Sequence, residues 1–387
     1  MDSAVDWRLP AAAIVVHMAG IGGTLGITYP LTSLALADHG ATAFEVGLTA
    51  AMASLSIVVS MPVLPRLLQR VAAVPAMVVG CAVAALSILA MPWFANVAAW
   101  MALRFTMGVG LAIPWLLGEV WLNRVTPEHH RGRVMAAYTA SMFAGFAIGP
   151  ALLTEVGTAG WVPFATAAAL LLLAVLPLIP FATSTGLTPR ARPHKPARVP
   201  MAVCIGAVSA GFAHMASLAL LPTFASARGL TNSEALWSLT AFLIGGLALQ
   251  APVGWLSTRV SRRGLLSLLG AVGAVGMLAM QALPPSLVAI GVTGFFVGGA
   301  SVGVYSGTLT LLGTQVADRD LPRANARFLT LYELGGLAGP LVGGAALGAS
   351  SSAFPISIAL AFVVLVPLVA LSRTSQSNTL HLRKEQQ

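Results

Sequence analysis

The sequence predicts an all-α integral membrane protein whose twelve transmembrane helices form two pseudo-symmetric six-helix bundles. Its 387 residues are 57% hydrophobic and only 9% charged, whereas about a quarter of a soluble globular chain is charged. The segment Gly264 to Ala317 contains no Asp, Glu, Lys or Arg. Because a membrane helix needs about 20 residues, that segment alone holds two helices, separated near Pro284 and Pro285.

The second half of the chain repeats the first half at a spacing of 189 or 190 positions. The corresponding residues include Gly40 and Gly229, Thr42 and Thr231, Glu45 and Glu234, Pro62 and Pro252, Gly108 and Gly298, Gly145 and Gly335, Gly149 and Gly339, and Pro150 and Pro340. Two halves in the same order and orientation are typical of transporters in which a solute site lies between the halves and the halves rock around it.

Apolar runs separated by charged or Gly/Pro-rich breaks predict twelve spans in order. They cover residues 11–35, 44–64, 73–93, 98–122, 134–156, 161–183, 200–224, 236–257, 264–283, 287–312, 327–348 and 353–372. The first ten residues carry Asp2 and Asp6 and no basic region. The first run is therefore interpreted as a retained span and not as a cleaved signal peptide.

One linker divides the spans into halves. Residues Ser184 to Val199 combine three prolines with four basic residues, a composition that predicts a cytoplasmic tether. The predicted organisation is a six-helix bundle over residues 1–183, a linker over 184–199, a second bundle over 200–373 and a tail over 374–387.

The net charge of +9 predicts orientation. With the amino terminus inside, all of the 21 Lys and Arg residues except Arg104 and Arg228 fall on the cytoplasmic side. This positive-inside asymmetry predicts a multi-pass protein of the inner (cytoplasmic) membrane with both termini cytoplasmic. The basic charge thus needs no nucleic acid as a partner.

Ionisable residues separate the helices that line a cavity from those that face lipid. Spans 3, 6, 9 and 12 contain none, whereas spans 1, 4, 7 and 11 carry His17, Arg104, Glu119, His214 and Glu333. A charge in hydrocarbon costs about 2.5–3.5 kcal/mol even on the lenient insertion scale, so these side chains are expected to face the interior or a wet cavity.

The loop motifs resemble those of the major facilitator superfamily, whose loop after span 2 typically reads Gly-x-Leu-x-Asp-Arg-x-Gly-Arg-Arg. The copy after span 8 keeps Gly254, Leu256, Arg259, Arg262 and Arg263, and the copy after span 2 keeps Arg66, Leu67 and Arg70. The Asp that helps to latch the cytoplasmic side in that family is replaced by Thr258 and by Gln69.

Two further patterns are similar to those of this family. Span 4 reads Arg104-x-x-x-Gly108, with Gly294 at the position that repeats Arg104. Spans 5 and 11 contain Gly145, Gly149 and Pro150, and Gly335, Gly339 and Pro340. The family associates this Gly-Pro motif with exporters that exchange substrate for protons, and small residues four apart also let helices pack closely.

Arg104 and Glu333 are the leading candidates for chemistry. Arg104 is interpreted either as an anion contact in the cavity or as a structural charge paired with backbone carbonyls. Glu333 is the only acid well inside the second half. A carboxyl group in a medium of low dielectric constant holds its proton more tightly, which suits a proton carrier; the alternative is a gate residue paired with an arginine.

Other candidates have weaker signals. Glu119 is interpreted as a cytoplasmic gate residue near Arg131 and Arg133, with the loop arginines Arg66, Arg70, Arg259, Arg262 and Arg263 as further gate residues. His17 and His214 titrate in the physiological range but are equally explained as hydrogen-bonded neutral residues. Trp115 and Tyr305 occupy corresponding positions on spans 4 and 10 and line a cavity or pack in the core.

The resulting prediction is a monomeric secondary transporter, not an enzyme. It exports a small organic solute by alternating access in exchange for protons. The alternatives are proton-linked uptake of a small anionic metabolite and a transporter-like sensor or lipid scramblase that concentrates nothing. No phosphate-binding loop is present, and Cys81 and Cys204 lie inside predicted spans. We therefore expect no cofactor and no metal, with the solute, protons and the bilayer as partners.

Overall fold

A computed structural model describes residues 7–68, 71–182, 199–317 and 320–366. The predicted linker up to Arg198, the tail, Arg70 and the side chain of Arg66 lie outside the described residues. The described chain is all-α, as predicted. Spans 1 to 6 are Arg8–Asp38, Ala43–Ser60, Ala73–Ala90, Val97–Val125, Glu128–Val156 and Val162–Leu173. Spans 7 to 12 are Met201–Ala227, Asn232–Ala248, Arg262–Ala282, Leu287–Gln315, Leu321–Ala349 and Ala353–Val363.

Ten of these spans are long and apolar enough to cross a membrane. The other two are spans 11 and 12. Span 11 carries Arg323, Arg327 and Glu333, which lower its hydropathy, and only 11 residues of span 12 are described as helix.

The two halves share their loop geometry as well as their sequence. Thr42 and Glu45 form a reciprocal capping box at the start of span 2, and Thr231 and Glu234 form the same box at the start of span 8. The two corresponding loops also contain glycines with positive φ, +82° at Gly40 and +94° at Gly229. Only glycine adopts this conformation without a steric penalty, so the repeat reflects identical turns.

The regular helix of three spans ends earlier than the sequence predicted, and proline is the common cause. Span 2 stops at Ser60, just before Pro62, and continues as the short helix Leu64–Leu67. Span 8 breaks at Leu249 and resumes as Gln250–Ser257, because Pro252 has no N–H for the carbonyl of Ala248. Span 6 changes after Leu173 to the 3₁₀ helix Leu176–Phe181, which contains two prolines. With these continuations, spans 6 and 8 run over Val162–Phe181 and Asn232–Ser257. The predicted spans 161–183 and 236–257 are therefore found, with an interruption inside each, and the regular helix of span 2 ends at Ser60.

The glycines of the Gly-Pro motif bring helix backbones together. A Cβ atom on Gly145 would collide with the carbonyl of Ala19, and one on Gly149 would collide with Gly26. The repeat does the same between spans 11 and 7, where Gly335 faces the carbonyl of Val208. Gly339 likewise faces the carbonyl of Phe212, and Pro150 and Pro340 lie inside their helices. Close packing alone thus accounts for these residues in this conformation.

The halves meet mainly through spans 2 and 11, 5 and 8, and 1 and 7. We call the face at which span 1 begins the proximal face, and the face at which spans 1 and 2 are joined the distal face. At the distal ends, Gly47 packs on the carbonyl of Pro340 and Gly344 packs on the carbonyl of Ala43. At the proximal end, by contrast, residues 131–133, 136–137 and 139–140 of span 5 are exposed. The halves are therefore closed distally and diverge proximally.

Candidate functional site

The side chains of Ser54 and Glu333 meet across the two halves, near the middle of spans 2 and 11. The Ser54 hydroxyl lies beside the carboxyl group of Glu333, and a Cβ atom on Gly336 of span 11 would also meet that hydroxyl. Ser54 is buried, and the carboxyl oxygen Oε2 of Glu333 is buried without a hydrogen-bond partner in the described structure. Glu333 as a whole is half-buried. Its neighbour across the interface is therefore a hydroxyl group and not a cation.

All four tyrosines of the chain lie around two interior carboxyl groups. Tyr29, Tyr305 and Tyr332 lie within electrostatic range of Glu333. Tyr138 lies within range of Glu119 on span 4, and Tyr305 is within range of both acids. We call Glu119, Glu333 and these four tyrosines the central cluster. Its members come from spans 1, 4, 5, 10 and 11, so both halves contribute.

Arg104 extends this cluster toward the distal face. Its side chain is fully buried, and its Cζ atom lies 4.3 Å from the centre of the Tyr29 ring. Nη1 reaches only the sulfur of Met107 at 3.9 Å, and Nε and Nη2 have no hydrogen-bond partner in the described structure. The predicted pairing with backbone carbonyls is thus not the arrangement found, and Tyr29 is its main neighbour.

Glu119 and Trp115 form a pair within span 4. Trp115 Nε1 donates to Glu119 Oε1 over 2.9 Å, as residues one helical turn apart can. Both side chains are half-buried. The aromatic ring of Tyr305 lies edge-on to Phe328 and Tyr332, at 5.2 and 5.1 Å between centroids. The structure thus gives Glu119 a tryptophan as its partner at the edge of the central cluster.

The two histidines lie within their own halves. His17 Nδ1 is 2.8 Å from the carbonyl of Ala174 on the segment after span 6, and the residue is fully buried. His214 is 6% exposed and packs against Phe242 on span 8, with 5.6 Å between ring centroids. His17 thus fits the alternative of a hydrogen-bonded neutral residue, whereas Nδ1 of His214 is buried without a hydrogen-bond partner in the described structure.

The predicted gate arginines lie at the proximal face. Arg131 and Arg133 are exposed at the start of span 5. Arg259 is exposed and stacks on the Trp255 ring at 4.2 Å, and Arg263 is half-buried. Arg262 lines a cavity of about 150 Å³ between the proximal ends of spans 8, 9 and 10. None of these contacts spans the two halves, so a gate role for these residues stays a prediction.

Sequence reasoning missed Ser54, Tyr29 and Met215. The Tyr29 hydroxyl lies 3.8 Å from the Met215 sulfur, which joins spans 1 and 7 across the interface. The only sequence signal was for Tyr29, because tyrosine is scarce in this chain, with four residues in 387. Among the described residues, no group of three His, Cys, Asp or Glu side chains is placed to hold a metal ion.

The comparison with protein families decides the identity of this architecture. The model of the Major Facilitator Superfamily matches residues 12–202 and again residues 203–386. The chain belongs to the Major Facilitator Superfamily. Its two matched segments meet within the amino-terminal end of span 7, at the boundary between the two helical halves.

Relatives in this superfamily are transporters by name. The "Uncharacterized MFS-type transporter YfkF" of Bacillus subtilis is 26% identical over 345 residues, which cover 86% of this chain and 87% of that protein. The "Uncharacterized MFS-type transporter YcaD" of Escherichia coli O139:H28 is 23% identical over 252 residues, which cover 62% of this chain and 63% of that protein. The chain is therefore a multi-pass membrane protein of a transporter family.

Solved structures of the superfamily have the same fold. A mutant of the nucleoside transporter NupG superposes with a TM-score of 0.75 at 11% identity, covering 95% of this chain and 99% of that one. A bacterial homolog of the human lysosomal transporter Spinster, in an inward-facing and unoccupied conformation, gives 0.68 at 13% identity, covering 96% and 94%. At these identities the likeness establishes the superfamily fold alone.

Proposed function

We propose that this chain is a secondary active transporter that exports a small organic solute across the inner membrane in exchange for protons. Glu333 is the proton carrier. The observation that carries this proposal is the contact between Ser54 and Glu333, because it ties the environment of an interior carboxyl group to the contact between the halves.

The physical link is the cost of burying a charge. In the distally closed arrangement, one oxygen of Glu333 has no hydrogen-bond partner. A buried carboxylate with an unsatisfied oxygen is destabilised by several kcal/mol, whereas a neutral carboxyl group is destabilised much less. Closing the distal side over Glu333 is therefore linked to proton uptake from that side. The proton leaves toward the proximal face, where the halves already diverge, once water or solute entering from that face reaches Glu333.

The direction of transport rests on two supports. The Gly-Pro motif of spans 5 and 11 resembles that of proton-exchanging exporters, and the charge asymmetry of the chain supports a cytoplasmic position for the proximal face. A proton taken up distally and released proximally then moves down its usual gradient, so solute moves outward.

Proton-linked uptake of a small anionic metabolite is the second candidate, and the buried guanidinium group of Arg104 favours it. Everted vesicles that contain the protein separate these functions. Addition of an exported solute releases protons from an acidified vesicle, which a pH-sensitive dye reports, and a protonophore abolishes concentrative movement. If the protein instead takes up solute with protons, solute moves in the opposite direction in the same vesicles. Solute-independent lipid movement without a proton signal would instead support a scramblase.

A further inference from the structure

The structure leaves an unusual pair of donors unused on Arg104. The side chain is 0% exposed, and both Nε and Nη2 lack a hydrogen-bond partner in the described structure. Nη1 is directed at the sulfur of Met107, a weak acceptor, at 3.9 Å. A buried guanidinium group in this condition is destabilising, so packing alone gives no reason to retain it.

The chain itself shows how a structural arginine is accommodated. Arg228, in the distal loop between spans 7 and 8, donates to the carbonyls of Met280, Gln281 and Leu283 over 2.8 to 3.0 Å. That guanidinium group ties the end of span 9 to the loop. Arg104 has no comparable set of acceptors, and its repeat position carries Gly294.

The two unused donors have a specific shape. Nε–H and Nη2–H lie on the same edge of the planar guanidinium group and point in parallel, which matches the two oxygens of a carboxylate. The Tyr29 ring covers a face of the group at 4.3 Å. A ligand must therefore approach along the free edge, in the plane of the guanidinium group.

The acids of the central cluster are already engaged. Glu119 accepts from Trp115, and Glu333 lies beside Ser54. We infer that the free edge of Arg104 binds the carboxylate of the transported solute, an organic acid with an apolar or aromatic body. The inference rests on the proposed transport function and names its substrate class.

The surroundings suit such a body. Tyr29 lies between Arg104 and the other members of the central cluster, in which Tyr305 and Tyr332 lie edge-on at 5.1 Å. Aromatic rings provide an apolar wall with polar tips. Tyr29 also contacts Met215 across the interface, so separation of the halves at the distal face changes the wall beside Arg104 on the side where an exported solute is released. In the empty, distally closed carrier the edge of Arg104 is unpaired in the described structure.

The test is the thermal stability of the purified full chain in detergent, without any ion gradient. We expect Arg104→Met to keep or raise the Tm, because it removes a buried unpaired charge. Arg228→Met, the matched control, lowers the Tm by removing three hydrogen bonds. A fall for Arg104→Met as large as that for Arg228→Met would show a structural role and overturn the inference.

Matched ligands then test the class. Benzoate and benzamide, and butyrate and butyramide, differ within each pair in charge but hardly in size. At least one carboxylate is expected to raise the Tm of the wild-type protein about 2–4 °C more than its amide does. Arg104→Lys is expected to lose this difference because lysine lacks the planar, two-donor edge of the guanidinium group. Equal shifts for acid and amide in both pairs, or a carboxylate shift that survives in Arg104→Lys, would overturn the assignment. A rise in Tm with inorganic phosphate but with none of the carboxylates would also overturn the assignment.

This experiment is independent of proton coupling. Glu333→Gln is expected to retain the carboxylate-dependent rise in Tm even where it loses accumulation. If Glu333→Gln loses accumulation but keeps the carboxylate-dependent rise in Tm, proton coupling and carboxylate binding depend on different residues. A failure of the proton-carrier role of Glu333 can therefore be told from a failure of carboxylate binding by Arg104.

Discussion

Ser54 on span 2 and Glu333 on span 11 lie side by side across the interface between the two halves. Their contact lies on the same helix pair as the close contact between Gly47 and Pro340, so it belongs to the surface that closes the distal side. A single interaction thereby connects a titratable group to a rigid-body movement. This is the physical requirement for a carrier that couples protons to alternating access.

Removing the Ser54 hydroxyl is expected to loosen distal closure. A polar contact of this kind contributes about 0.5–1.5 kcal/mol net, so Ser54→Ala is expected to raise the open population roughly 2- to 10-fold. A cysteine at the buried position Ala51, between Gly47 and Ser54 on the face of span 2 that meets span 11, reports this as faster labelling by an impermeant thiol reagent in a background without Cys81 and Cys204. The control is Ser56→Ala, whose hydroxyl bonds the carbonyl of Ala53 within the same helix over 2.6 Å. Equal labelling in both variants would contradict the role of the contact.

Gly47 is expected to tolerate no side chain. A Cβ atom there meets the carbonyl of Pro340, and overpacking of this kind costs about 1–3 kcal/mol. Gly47→Ala therefore impairs transport and raises labelling at the same distal cysteine. Gly132→Ala is the matched control, because nothing lies within 4 Å of its added Cβ. Normal transport by Gly47→Ala would show that spans 2 and 11 need not pack this closely.

Arg104→Lys is expected to fold but to transport at least 10-fold more slowly. Lysine keeps the charge but lacks the planar fork, and a lost bidentate charged contact is worth about 1.5–3 kcal/mol. Initial transport rates at matched expression measure the effect. Near-normal transport by Arg104→Ala would leave the residue with a dispensable packing role.

The charge asymmetry of the sequence predicts that the proximal face is cytoplasmic. A reporter fused after Ser372 is expected to be active only as a cytoplasmic fusion, because the basic residues cluster on the side of both termini. Enzymatic reporters specific for each compartment give the answer directly. Periplasmic activity at that position would overturn both the orientation and the even number of spans.

The sequence predicted the fold well because membrane burial leaves a strong linear signal. Long uncharged runs, the paired glycines Gly40 and Gly229 and the paired capping residues are all local features, and the structure reproduces them. The interruptions at Pro62 and Pro252 were visible as prolines, but a proline can either bend or end a helix. Only tertiary packing chooses between these outcomes.

The site was less predictable because it depends on which faces of two distant helices meet. The charge of Arg104 within a span predicted that its side chain would face the interior. Nothing in the sequence predicted that Tyr29 would be its neighbour. Ser54 is one of several serines on span 2, and helical periodicity cannot tell which of Ser54, Ser56 and Ser60 faces the other half. The structure shows that Ser54 does and that Ser56 faces Gly108 within its own half.

Glu333→Gln tests the proton-carrier role most directly. Glutamine fixes the neutral form at nearly unchanged volume and can keep the contact with Ser54. In proteoliposomes across a pH series, we expect this variant to lose gradient-driven accumulation while it retains solute binding and downhill exchange. Glu119→Gln, which changes the other interior acid of the central cluster, is expected to keep accumulation. Unchanged gradient-driven accumulation in Glu333→Gln would contradict proton coupling through this residue.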